Sequence, residues 1–417
     1  MSNDGHDGCD GRAERPVTVW DDLVGQHRVS DQLAAAARDA DALVTAAAAD
    51  APPPEASKMT HAWLFTGPPG AGRNQAARAF AAALQCVSPD RALGGSPGCG
   101  FCDGCHTALV GTHADVSTIA AVGAVIRVSD MRDTVRKSFT APANGRWQVI
   151  LVEDAERLNE SSANAVLKAV EEPASRTVWL LCAPSVEDVL PTIRSRCRHL
   201  NLTTPSVDAV ADLLVRREGI DPDIAAAVAR ATQGHVDRAR RLATDPAARE
   251  RRAAVLKLPL RVEDIGGALK AAQELVDAAA EDAKQMAEQT DTKETDELKA
   301  ALGATPGGRL PRGTAGVVKD LEDMQKRRRT RTQRDSLDVA LTDLTSFYRD
   351  VLALQLGSRI ALANADAEDT LERLARGNSP ESTLRRIEAI AACRDALDRN
   401  VAPLLAVEAM TMALRAG

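Results

Sequence analysis

Five short runs alternate with helix-patterned segments across the first half of the chain: "AWLFT" (Ala62–Thr66), "DVSTIA" (Asp115–Ala120), "WQVILV" (Trp147–Val152), "TVWLLC" (Thr177–Cys182) and "RHLNL" (Arg198–Leu202). Several are apolar at nearly every position and lack the in–out alternation of a strand with one wet face. Such strands need cover on both sides, which a parallel sheet between two layers of helices provides. An α/β domain is therefore expected over residues 16–205. From Ser206 the pattern turns helical throughout. "SVDAVADLLVRREG" and "DPDIAAAVARATQG" each close on a Gly, and "HVDRARRLATD" follows, which predicts a three-helix lid within 206–250.

Residues 251–417 read as an all-α domain. Leu337, Leu341, Leu344, Tyr348, Val351 and Leu354 recur at steps of three or four and make one apolar stripe. That stripe suits a core within the chain, with packing against another chain as the alternative. Ser379 followed by Pro380 marks a helix start. A polar, Gly/Pro-containing insert at about 288–316 is expected to be mobile, and residues 1–15 read as a disordered tail.

A chain of 417 residues has room for two or three cores. Its net charge of −7 argues against coating nucleic acid through a bulk field, and an aromatic content of 2% leaves little for base stacking. No run approaches the ~18 apolar residues of a membrane span, and the N-terminus lacks a signal-peptide core. A cytoplasmic protein is expected. The run "KRRRTRTQR" (Lys326–Arg334) reads as a solvated, partly helical linker, with DNA contact as the alternative. Cys9, Cys182 and Cys393 read as incidental or buried thiols.

Between the first strand and an Ala-rich helix lies "GPPGAGRN" (Gly67–Asn74). Its glycines, Gly67 and Gly72 among them, let backbone N–H groups surround an anion at a helix N-terminus. A working phosphate loop ends in Lys and then Ser or Thr, the first reaching the terminal phosphates and the second holding Mg²⁺. Arg73 and Asn74 occupy those places here. A guanidinium is a broad planar fork, not a compact ammonium, and an amide oxygen is a weaker ligand than a hydroxyl. The strand "VILVEDAERL" (Val149–Leu158) ends in Glu153-Asp154, where a nucleotide-hydrolysing site would carry Asp-Glu. Asp154 is one methylene short for polarising a water, and a misplacement of about 1 Å can cost on the order of 100-fold in rate. Two defects in one centre point to a retired site. ATP or ADP binding by this chain is not expected, and no turnover by the chain alone.

"CVSPDRALGGSPGCGFCDGC" spaces four cysteines as Cys86-x12-Cys99-x2-Cys102-x2-Cys105. In a reducing compartment such a cluster suggests metal more than disulfides. Four thiolates close a tetrahedral Zn²⁺ shell with no position left for a catalytic water, so the site is structural. The common iron–sulfur run wants a further Cys where Leu109 stands. His106 is an alternative to one of the thiols.

"WDDLVGQ", "HAWLFTGPPGAGRN", the four-cysteine insert behind the loop helix, "SSANAVLKAVEEP" (Ser161–Pro173), "LPTIRSRC" (Leu190–Cys197) and the three-helix lid together resemble bacterial clamp-loader subunits of the AAA+ class. The resemblance runs from Val17 to about Asp245; the C-terminal part is similar only as a helical collar-like domain. The altered loop and acids fit the delta-prime type of that family better than the gamma/tau motor type. The resemblance implies an AAA+ P-loop-type parallel sheet with a zinc module at 86–105. It implies Cys86, Cys99, Cys102 and Cys105 as zinc ligands, and Arg196 of "SRC" as a finger reaching the ATP site of an adjacent motor subunit. The lid position that senses phosphate in a motor falls on Asp237, one residue before Arg238. Implied partners are gamma/tau and delta subunits and, through the complex, the sliding clamp and primed DNA, at replication forks on the nucleoid. A slow stand-alone ATPase, a gamma/tau-like motor and a zinc-bearing adaptor outside any ring are the alternatives.

Overall fold

The computed structural model describes residues 18–52, 54, 56–93, 95–121, 125–143, 146–301 and 315–417. The expected tail at 1–15, with Cys9, lies outside the described residues.

Five strands, β1 (Ala62–Thr66), β2 (Val116–Ile119), β3 (Gln148–Val152), β4 (Thr177–Ala183) and β5 (Arg198–Asn201), form one parallel sheet in the order β2-β3-β4-β1-β5. Every residue of β1, β3 and β4 is buried, which is why those runs read as continuously apolar. Alternate side chains serve opposite faces. Trp63, Phe65, Val149 and Leu151 join one core with α1 (His27–Ala48) and α2 (Arg73–Leu84). There the rings of Trp63 and Phe80 meet edge to face at 5.2 Å. Leu64, Ile150 and Val152 join the opposite core, which α4 (Val128–Ser138) and α5 (Glu160–Glu171) close. Between α2 and β2 the cysteine module carries α3 (Asp103–Val110), and α6 (Pro191–Arg194) is a single turn ahead of β5.

The lid is built from α7 (Val207–Glu218), α8 (Pro222–Ala231) and α9 (Val236–Thr244). Ser206 and Asp221 cap α7 and α8 through their side-chain oxygens, satisfying donors that no helical carbonyl can reach. α10 (Pro246–Leu256) joins lid to collar: Ala248 lies in the lid core, and Val255 and Leu256 lie in the next.

Two long helices, α11 (Ile265–Ala301) and α12 (Ala315–Gln355), run about 55 and 60 Å at 1.5 Å per residue. With α13 (Glu368–Gly377), α14 (Pro380–Asp398) and α15 (Pro403–Ala416) they complete the C-terminal helical domain. The structure corrects the expected mobile insert at 288–316. Residues 288–301 continue α11, 315–316 begin α12, and 302–314 lie outside the described residues. The physical reason is pairing between the helices. Arg328 and Arg329 of α12 face Asp291 of α11, and Arg328 also meets Glu294, with Arg329 Nε 2.7 Å from Asp291 Oδ2. The basic run is therefore helical throughout and partly spent inside the chain, not a linker.

The α12 stripe is intramolecular. Leu337, Leu341, Leu344, Tyr348 and Val351 are buried in one cluster with Ala271, Val276, Ile390 and Met410, and Leu354 packs at its edge. Phe347 is fully buried in the same cluster. Its replacement in Phe347→Ala should destabilise the helical domain by roughly 3–5 kcal/mol, the usual cost of an emptied aromatic site, read as a lower urea midpoint for the helical signal.

Candidate functional site: the loop end of the sheet and a cysteine cage

The loop 67–74 leaves the C-terminal end of β1, where ligands of open parallel sheets bind. Gly70 has φ +86°, and a Cβ there would stand 2.8 Å from the His235 ring. His235 caps α9, and burial together with nearby Arg238 holds its imidazole below the ordinary pKa. α2 begins at Arg73, whose guanidinium turns back to donate to the carbonyl of Gly67. The loop's cation is thus engaged by the loop's own backbone. Asn74 Oδ1 is buried and accepts no hydrogen bond among the described residues. From the lid, Asp237 accepts from Gln75 Nε2 at 2.5 Å, while Arg238 turns to Asp343 of α12, also at 2.5 Å. Neither guanidinium at this corner is aimed at a ligand. Gln26 of "VGQ" adds a tie, donating to the carbonyls of Ala71 and Thr203 and accepting from the Thr203 N–H at 3.3 Å.

Both acids at the end of β3 are already paired. Glu153 Oε1 lies 2.5 Å from Arg78 Nη2 and 3.1 Å from Arg78 Nε, so the loop helix α2 itself neutralises it. Asp154 accepts from the Ala121 N–H at 2.9 Å and holds Arg331 of α12 in a two-pronged pair, with Nη1 at 2.8 Å and Nη2 at 2.9 Å. Arg331 also donates to the Ala121 carbonyl. Asp154 is 14% exposed and Arg331 24%, so water screens the pair only in part. In this arrangement the loop's guanidinium is turned onto Gly67, and both acids at the strand end, Glu153 and Asp154, are held by arginines.

Arg196 follows the turn of α6 and is exposed. Its Nη1 donates to the Thr192 carbonyl at 2.6 Å and to Ser195 Oγ at 3.2 Å, and Nη2 lies 2.5 Å from Glu171 Oε1 at the end of α5. Its partners belong to its own turn and to α5, away from the loop and the acids.

The four sulfurs of Cys86, Cys99, Cys102 and Cys105 all lie within 4.8 Å of one another. Cys86–Cys99 and Cys86–Cys102 are 3.9 Å apart and Cys99–Cys105 4.0 Å. A tetrahedron with metal–sulfur bonds of about 2.3 Å has edges of about 3.8 Å, so the cage fits one ion and is too small for a four-iron cluster. Interaction with Cys105 holds the Cys86 thiol well below its ordinary pKa, and the same interaction, with burial, pushes Cys105 up; the Cys105 thiol itself donates to the Ala82 carbonyl at 3.4 Å. N–H groups of Val87 and Cys102 point at the sulfurs of Cys102 and Cys99, each at 3.4 Å. His106 is exposed and outside the cage. Gly104 is required by contact, since a Cβ there would stand 2.0 Å from the Gln85 carbonyl oxygen. The entry segment clamps the module: Val19 N–H donates to Gly98 O and Trp20 Nε1 to Pro97 O, both at 2.9 Å. The remaining described thiols are buried or half-buried, and burial pushes Cys393 up to about 11 and Cys197 to about 12.

Residues 54–206 match the family model described as DNA polymerase III, delta subunit, and residues 332–411 match that described as DNA polymerase III, delta subunit, C terminal. The delta-prime subunit of Pseudomonas aeruginosa is 37% identical over 162 residues, 38% of this chain and 48% of that protein. The chain belongs to the delta-prime-type clamp-loader family of DNA polymerase III. The Escherichia coli delta-prime subunit is 32% identical over 182 residues, 43% of this chain and 53% of its own length. The gamma/tau subunit of Mycobacterium bovis is 32% identical over 176 residues, 40% of this chain and 29% of its own. The chain thus spans about half or less of the length of these relatives. The fold is a parallel α/β domain followed by helical domains. Among the described residues no helix is long and apolar enough to cross a membrane.

For this clamp-loader family member the structure brings Arg73, Asn74, Glu153 and Asp154 to one sheet edge and gathers the four cysteines. Sequence reasoning missed the partners of these groups, among them Arg78 on Glu153, Arg331 on Asp154 and Glu171 on Arg196. Glu171 sits in the quoted "VEEP" stretch, so a signal was present; Arg331 lies 177 residues from Asp154 with no local motif to link them. The glycine geometry offers a direct check. Gly70→Ala should cost roughly 1–2 kcal/mol for the left-handed backbone alone and more for displacing His235. Gly111→Ala, with φ +85° and open space around it, should cost only the first part. Equal shifts in thermal midpoint for the two would contradict the His235 contact.

Proposed function

We propose that this chain is a non-hydrolysing subunit of the DNA polymerase III clamp loader, working with gamma/tau and delta subunits to place the sliding clamp on primed DNA in the cytoplasm. The observation that carries the reading is the state of the nucleotide edge: Arg73 folded onto Gly67, Glu153 held by Arg78 and Asp154 by Arg331. Hydrolysis needs a carboxylate free to orient the attacking water and a compact cation on the terminal phosphates. Here the loop cation and both strand-end acids, Glu153 and Asp154, are engaged by other groups of the chain.

The same chain carries a cation suited to a neighbour's site. Arg196 stands exposed on a short turn behind a buried Ile193 anchor. A guanidinium supplied across a subunit boundary stabilises charge on the transferring phosphoryl group and is worth about 10³–10⁵ in rate where best studied. Its contact with Glu171 is a half-exposed surface pair of about 0–1 kcal/mol, which an incoming phosphate readily displaces. In the reconstituted loader, Arg196→Ala should leave assembly intact and lower DNA-stimulated ATP hydrolysis by the motor subunits by at least about tenfold. An unchanged rate removes the finger role. The isolated chain should show no ATP turnover above background; steady hydrolysis abolished by Asp154→Asn would instead support a slow stand-alone ATPase.

The cysteine cage holds structural zinc in this reading. Four thiolates, a cage sized for one ion and N–H groups directed at the sulfurs suit Zn²⁺, which has no redox chemistry and accepts tetrahedral sulfur. The residues that would hold it are Cys86, Cys99, Cys102 and Cys105, and the ion would stiffen a glycine-rich loop that has little core of its own. Elemental analysis should find about one zinc per chain, lost in Cys102→Ser together with a lower thermal midpoint. Unchanged metal content and stability in that variant would rule out the four-cysteine site.

A further inference from the structure

The α/β domain and the C-terminal helical domain face each other across a cleft of about 970 Å³, lined by Glu156, Arg157 and Pro184 on one side and by Lys326, Arg331 and Arg394 among others on the opposite side. Arg331 spans this gap. Its guanidinium makes two hydrogen bonds to Asp154 and a third to the Ala121 carbonyl, while Asp154 in turn accepts the Ala121 N–H. A fork with two N–H groups on one carboxylate fixes direction as well as distance, which a lysine cannot do. The arginine is itself well set. One turn earlier on α12, Arg328 and Arg329 are pinned to Asp291 and Glu294 of α11, so the helix cannot roll without breaking those pairs. Asp154 stands two residues past the end of β3, a strand buried at every position. Each half of the pair is therefore anchored in a different domain.

We propose that Arg331 is a positioning residue: by standing as a permanent cation on Asp154, it fixes the α/β domain, and with it Arg196, at one orientation to the helical domain. Part of this rests on Arg196 serving a neighbouring site; the latch itself does not. The site that would have bound a metal ion is thereby given a cation from its own chain, and its geometric precision is turned to joining domains. Because Arg196 has to arrive within about 1 Å to be effective, loss of the latch reaches a reaction that Arg331 never touches.

The test uses the full-length chain with spin labels introduced as noncanonical residues at the exposed positions Asp188 and Arg373, one in each domain. The unmodified latch should give one narrow interdomain distance. Arg331→Ala and Asp154→Asn, the second of which keeps the side-chain shape, should each broaden it, and the double variant should broaden it no further. Arg331→Lys should be intermediate, since one prong can be kept. In the reconstituted loader, Arg331→Ala should lower DNA-stimulated hydrolysis by about tenfold, and should add nothing in an Arg196→Ala background. An unchanged narrow distance in both single variants overturns the latch, whatever Arg196 does. A broadened distance with an unaffected rate overturns the link to Arg196 and leaves the latch standing. If Arg196→Ala alone has no effect on the rate, the finger reading fails and the distance measurement still decides the latch.

Discussion

A carboxylate at the end of a buried parallel strand has to be hydrated, bound to a metal or neutralised by a neighbouring cation. In this protein the third solution prevails. Asp154 is neutralised by Arg331 from the far domain and Glu153 by Arg78 from the loop helix. Removing one member of such a partly buried pair leaves the other charge poorly solvated, which costs more than the intact pair contributes. That asymmetry favours keeping the pair closed.

The lid depends on the same economy of charge. Asp237 is held by Gln75 and Arg238 by Asp343, and Asp343 also lies near Arg252, with their Oδ1 and Nε 3.7 Å apart. Burial raises the Asp343 pKa while the two arginines work against that rise. The lid is thus tied both to the loop helix beneath it and to α12 behind it. A nucleotide-driven lid needs an arginine that can change partners, and here Arg238 is already committed to the helical domain.

The cysteine module answers a different difficulty. The stretch between α2 and β2 is rich in glycine and short of bulky apolar residues, so it has little hydrophobic driving force to order it. Four converging sulfurs, the close approach at Gly104 and the clamp from Val19 and Trp20 together supply the missing constraint. The module also fastens the entry segment, which continues to Gln26 and so to the loop and the lid junction.

Periodicity and spacing were enough to read the parallel sheet, the lid, the α12 stripe and the four-cysteine set, because each is a local pattern dictated by which side chains must avoid water or converge within a few residues. The changed residues Arg73, Asn74, Glu153 and Asp154 were equally plain. The continuity of α11 through 288–301 was not, since its polar residues find their partners on another helix. The sequence by itself determined the elements, the four-cysteine set and the altered residues of the loop and strand end. Only the tertiary structure decided where the freed charges went: Arg73 to Gly67, Arg238 to Asp343 and Arg331 to Asp154, because ion pairing depends on distance in space, and residues 177 positions apart carry no mark of their meeting.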